Sequence, residues 1–189
     1  MNRREALSAV SVLLGGTIIG SNVFLSGCKS PEAKVSETLT FDQDKIALID
    51  EIGETILPAT SSPGAKAAKI GEYMQVIVTD CYEEKNQKIF MEGLTKINAA
   101  SKKKFDKSFL EASPQQRHTL LVELDNEQKE YMKKKKTDEP SHYFRMLKEL
   151  TLLGYFTSEI GCTQALRYVD VPGKYEGCVD YKKGDKAWA

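Results

Sequence analysis

Four cysteines and two histidines are the residues of this chain best suited to metal or redox chemistry, and their spacing supports neither use. His118 and His142 have no ligating residue three or four positions on, and no Cys-x-x-Cys pair occurs. Without Cys-x-x-Cys-His there is no covalent haem attachment of the c type. The glycine-rich fingerprints of nucleotide and flavin binding are absent, and so is the strand-to-helix serine elbow of hydrolases. Glu83-Glu84 and Asp138-Glu139 sit among polar neighbours and read as solvated carboxylates. His118, beside Arg117, reads as a surface residue, and His142, at a helix start, as a structural one. No active site assembles from these residues, so catalysis by this chain is the weakest of three readings. A chain that serves another protein accounts better for so bare a set.

The remaining chemistry lies at the N-terminus. Arg3 and Arg4 precede an uncharged run from Ala6 to Gly27, which ends in Leu25-Ser26-Gly27-Cys28. A charged start, an apolar middle and small residues at the end have the layout of an export signal. The paired arginines point to the twin-arginine route, which carries folded proteins; the general secretory route stays open. Leu-Ser-Gly-Cys resembles the lipobox of bacterial lipoproteins, in which the cysteine is acylated and becomes the mature N-terminus. The alternative is an uncleaved anchor, disfavoured by Gly15, Gly16 and Gly20. The expected division is an export signal over 1–27, a lipidated flexible tether over 28–39 and one domain over 40–189. The protein is expected to be exported, periplasm-facing and held in the cell envelope by lipid on Cys28.

Cleavage before Cys28 leaves about 160 residues, enough for one domain with a sizeable core. The 27 basic and 27 acidic residues balance, which argues against nucleic acid as a partner. Cys81, Cys162 and Cys178 remain in an oxidising compartment, where thiols tend to pair. Cys162 with Cys178 is the favoured bridge, both lying in the C-terminal segment. Cys81 is then left over, as a buried small hydrophobe or as a bridge to a partner chain.

The elements that must carry these residues are helical. Thr40 and Gln43 have the spacing of a capping box. Ile46, Ile49, Gly53 and Ile56, flanked by Leu48 and Ile52, recur at helical period until Pro58. Ser61-Ser62-Pro63-Gly64 marks a turn. A second helix is predicted from Ile70 to about Tyr82, although Val76-Ile77-Val78 alone would suit a strand. A third is predicted from Glu84 to Phe105, with Lys102-Lys103-Lys104 at its dipole-favoured end. Ser113-Pro114 with Gln116 opens a fourth, which buries Leu120, Leu121 and Leu124 and ends at Lys133 to Lys136. A fifth begins at Pro140 or Ser141. Phe144, Leu147, Leu150, Thr151 and Gly154 load one of its sides; Tyr143, Met146, Leu150, Leu153 and Phe156 load the next. Beyond Gly161 the periodicity ends in an irregular arm, read as wrapped on the bundle, with one helical turn around Thr163 to Leu166. The fold class is all-α: a small bundle of about five helices with an irregular C-terminal arm.

Three blocks of this sequence resemble one family. Ile56-Leu57-Pro58-Ala59-Thr60 with Pro63-Gly64-Ala65 is similar to the opening block of the gluconate 2-dehydrogenase subunit 3 family. Leu150 to Glu159 resembles its Gly-Tyr-Phe block, and Arg167-Tyr168 through Pro172-Gly173-Lys174-Tyr175-Glu176-Gly177-Cys178 its closing block. The resemblance implies a small accessory subunit without a cofactor of its own. Its partner would be a large FAD-containing dehydrogenase subunit of the glucose-methanol-choline type that oxidises a sugar or polyol, often with a cytochrome c subunit taking the electrons on. The small subunit would help that partner mature and supply the export signal for a complex that crosses folded. The family offers no catalytic residues to carry over. The lipobox cysteine departs from its soluble members and implies a lipid-tethered complex.

On that resemblance Tyr155 and Phe156, with the arm around Pro172, Gly173 and Tyr175, are the candidate partner interface, since aromatics beside turn residues make good anchors. Packing inside the chain's own bundle is the competing reading for each of them. A stand-alone envelope lipoprotein acting as a binding or scaffold module is the second reading of the whole chain.

Overall fold

The first helix, α1 (Gln43–Ile56), starts at Asp42, whose carboxylate accepts the Lys45 N–H at 2.8 Å. The computed structural model in which this is seen describes residues 39–171 and 173–188. The export signal with Arg3 and Arg4, the lipid site Cys28, nearly all of the tether and Pro172 therefore lie outside the described residues. The capping box predicted from Thr40 does not form. A helix has one N-cap, and Asp42 is the better acceptor there because its charge also meets the positive end of the dipole. Leu48, Ile49, Ile52 and Gly53 are the buried residues of α1. The stripe thus shifts towards the Leu48 and Ile52 flank, leaving Ile46 and Ile56 half-buried.

The chain then turns through Leu57–Gly64 into a short 3-10 turn (Ala65–Ala68) and α2 (Ile70–Cys81). Val76-Ile77-Val78 is helical, and Ile70, Met74 and Val78 are fully buried. Lys69, in the left-handed region at φ 53°, gives α2 no side-chain cap of its own. Asp50 of α1 supplies one from a distance: its carboxylate accepts the Gly71 N–H at 2.7 Å. Burial raises the Asp50 pKa above the usual carboxylate value, against the lowering pull of that bond.

α3 (Glu84–Phe105) and α4 (Pro114–Lys134) follow, the two longest of the described helices. Asp106, at φ 55°, stops α3. Ser113 closes a complete capping box with Gln116 at the head of α4, with Pro114 at the first position. Arg117 ties this corner to α1: it bonds the carbonyls of Phe109 at 2.9 Å and Leu110 at 2.5 Å and pairs with Glu51. α5 (Tyr143–Thr157) is the most enclosed helix, burying Tyr143, Phe144, Met146, Leu147, Leu150, Thr151, Gly154 and Tyr155. It packs against α1, α2, α3 and α4. Its cap is neither Pro140 nor Ser141 but His142, whose ring nitrogen accepts the Phe144 N–H.

The five α-helices enclose one core, with Ile49, Ile52, Phe90, Ile97, Phe109, Phe144 and Leu147 fully buried. The fold is an all-α small bundle, with no strand among the described residues. A π-helical turn (Gly161–Ala165) follows α5, close to the single turn predicted around Thr163. From Arg167 to Trp188 every described residue is exposed. The arm therefore does not wrap the bundle: it lacks the repeating apolar positions that would seat it there.

Candidate docking surface

Glu54 organises the loop that carries the first resembling block. Its two carboxylate oxygens accept the N–H groups of Ala59 and Lys66, each at 2.9 Å, so one side chain ties the loop and caps the 3-10 turn. Gly64 lies against that carboxylate: a Cβ there would stand 2.2 Å from a Glu54 oxygen, so any larger residue must displace the carboxylate that ties the loop. The Ala65 N–H reaches back to the Leu57 carbonyl at 2.9 Å and closes the loop.

The second block meets the first here. The Tyr155 hydroxyl donates to the Pro63 carbonyl at 2.6 Å, and Tyr155 is only 3% exposed. One residue back on α5, Gly154 faces the Tyr73 ring; an added Cβ would lie 2.5 Å from a ring carbon. This removes Tyr155 from the candidate interface as a free surface residue. A phenol satisfied by a backbone carbonyl inside the fold is part of the core. Phe156, its neighbour, meets Tyr155 edge-on at 5.1 Å and remains 38% exposed. Leu152 and Leu153 are exposed as well. Helix α5 thus buries one broad face and leaves the C-terminal half of the predicted second side uncovered.

The third block stands apart from that junction. The arm is closed at its base by a bridge between Arg167 and Trp188, with the Arg167 N–H on the Ala187 carbonyl at 2.8 Å. The Arg167 guanidinium also lies 4.7 Å from the Trp188 ring centroid, a cation–π contact, and Lys186 reaches the Gln164 carbonyl. Between these fastenings Tyr168, Val169, Val171, Tyr175, Val179 and Tyr181 are all exposed, and Trp188 with them. Tyr175 reaches 95%. Gly173, at φ 72°, turns the chain in the left-handed region that glycine enters without steric cost. Val169, Val171, Tyr175, Val179 and Trp188 line an open cleft of about 870 Å³.

The three described cysteines are free. The predicted bridge between Cys162 and Cys178 is not formed: the Cys162 thiol lies 3.1 Å from the Phe156 carbonyl at the end of α5, while Cys178 is exposed on the arm. Cys81 is exposed too, contrary to the reading of a buried small hydrophobe; it is the last residue of α2, beyond the buried Val78. His118 is exposed and His142 caps α5, so the structure brings neither to a shared site. Among the described residues, no three or more His, Cys, Asp and Glu side chains gather as a metal site. None of the described helices is long and apolar enough to cross a membrane.

Sequence reasoning missed Glu54, Asp50 and Arg117, polar residues whose partners lie on other elements. It also missed the valines of the arm, although aromatics and valines among turn residues, without a period, carried the signal.

A family model for gluconate 2-dehydrogenase subunit 3 matches residues 43–173. That span takes in the Glu54 loop, all five helices and the first part of the arm. The chain belongs to this family, and membership supports an accessory subunit of a dehydrogenase. No curated protein and no solved structure gives a match.

Proposed function

We propose that this member of the gluconate 2-dehydrogenase subunit 3 family is the non-catalytic small subunit of an exported, flavin-dependent sugar or polyol dehydrogenase. In this reading the large subunit is of the glucose-methanol-choline type and carries the FAD. A cytochrome c is the natural onward electron carrier. The present chain supplies a docking surface, an export signal through Arg3 and Arg4, and envelope attachment through lipid on Cys28. Export of a folded complex gives the paired arginines a purpose, since a flavin must be bound before the partner leaves the cytoplasm.

The observation that carries the reading is the arm. Seven large apolar side chains between Tyr168 and Trp188 stand exposed on a loop fastened at its base. Such a concentration of apolar surface off the core marks an interaction site, and aromatic anchors dominate such sites. Phe156, Gly173 and Tyr175 are the residues assigned to it. A mild-detergent pull-down of the tagged protein from its host, followed by an absorbance spectrum, tests the reading. A stoichiometric, much larger chain with flavin bands is the expected result. A colourless, solitary, folded protein would overturn it in favour of a stand-alone lipoprotein.

A further inference from the structure

The ring of His142 fills a position at the head of α5 that serine, threonine, aspartate or asparagine ordinarily takes. Its Nδ1 accepts the Phe144 N–H at 3.3 Å, so Nδ1 carries a lone pair and the proton sits on Nε2. The side chain is 10% exposed. It is held between the Tyr131 ring of α4 at 5.5 Å and the Tyr143 ring at 4.3 Å. We propose that His142 is a protonation-sensitive cap: a proton taken up at Nδ1 turns the acceptor into a donor and releases the first turn of α5.

Two physical effects act together on protonation. The new Nδ1–H would face the Phe144 N–H, donor against donor, which leaves that amide without a partner. The ring would also bring a positive charge to the N-terminus of a helix, where the macrodipole is already positive. The groups facing the ring divide. Burial pushes the His142 pKa down, Glu127 of α4 pulls it up, and Lys96 of α3 pushes it down again, with a net lowering. The Glu127 carboxylate stands 3.7 Å from Nε2 on a largely exposed side chain, too solvated to hold the charged ring in place. Burial pushes the Tyr143 phenol up to about 12, so that neighbour stays neutral throughout.

The release should spread to the α4–α5 connection. The Tyr131 hydroxyl, whose ring lies tilted against His142, bonds the Pro140 carbonyl at 3.0 Å. Loss of the cap loosens this joint while the Tyr155 end of α5 stays seated.

Solution NMR of the full-length protein tests this directly. The expected result is that His142 titrates below the ordinary histidine value of 6.5. The protection factor of the Phe144 amide should fall in step with the His142 titration. His142→Asn keeps an uncharged acceptor, so it should hold Phe144 protection constant over the same range. Its Tm should fall less on acidification than the wild type's, by about 2–4 °C. His142 titrating at or above 6.5, Phe144 protection indifferent to it, or an equal fall in His142→Asn would each overturn the proposal.

Discussion

The Tyr155 hydroxyl donates to the Pro63 carbonyl at 2.6 Å across 92 residues of sequence, and this bond joins the end of α5 to the loop that leaves α1. It also explains how Tyr155 and Phe156, adjacent in sequence, face opposite environments. Tyr155 turns inward to Pro63, and Phe156 lies edge-on over it towards solvent. Tyr155→Phe keeps the ring and deletes the bond. It should cost about 1 kcal/mol by denaturant unfolding, with Tm lower by about 2–4 °C.

Gly154 lets the Tyr73 ring approach the α5 backbone. Alanine would gain about 1 kcal/mol in helix propensity, but overpacking against a ring held by the core costs roughly 1–3 kcal/mol. Gly154→Ala should therefore destabilise the protein. If the clash is the cause, the penalty shrinks in a Tyr73→Ala background, which a double-mutant cycle measures.

Arg117 pairs with Glu51 while bonding two backbone carbonyls in the turn before α4. Both charged side chains are largely buried. Arg117→Ala leaves Glu51 with only the exposed Lys66 and should cost about 3 kcal/mol. Arg117→Lys should recover little, because an ammonium cannot reproduce the three-way fork. Equilibrium unfolding of the two variants separates charge from geometry.

Asp125 lies between Lys129 and Lys148. Burial opposes its ionisation, but hydrogen bonds from Lys129, Lys148 and Gln128 outweigh that and hold its pKa at about 2. Below the ordinary aspartate value of 3.8 the unfolded chain binds a proton that the folded chain does not. The contribution of Asp125 is thus complete above about pH 4 and is lost as pH falls towards 2. It should amount to roughly 1–2 kcal/mol after allowance for the exposed lysines. Asp125→Asn should flatten that part of the acid-unfolding curve.

Tyr175 is 95% exposed and Tyr155 only 3%, so the two separate docking from folding. Tyr175→Ala should leave stability within about 0.5 kcal/mol of wild type and lower the yield of any co-purified partner. Unchanged yield would remove Tyr175 from the interface.

The bundle was largely legible in the chain itself. Ser113-Pro114 with Gln116 states the start of α4, because a cap acts within a few residues; α2 could be read as a helix only for want of a partner strand, and its buried Ile70, Met74 and Val78 appear in the structure. At the head of α5 the same approach misplaced the cap. Pro140 and Ser141 fit the usual preference, while the imidazole that does the capping is supported by rings of α4 and α5. The arm was legible only as an irregular segment. Whether its aromatics pack inward depends on a surface to receive them, and no local pattern specifies that.

The sequence alone determined the all-α class and the helix order, since these follow from short-range spacing of apolar, capping and turn residues, and three of its blocks resemble the family. The tertiary structure decided which aromatic is buried and which is free, where the Asp50 and Glu54 carboxylates find backbone donors, and that the arm stands off the core. Those outcomes depend on groups from 5 to 92 residues apart meeting within hydrogen-bond or van der Waals distance, which only the packed arrangement of the elements sets.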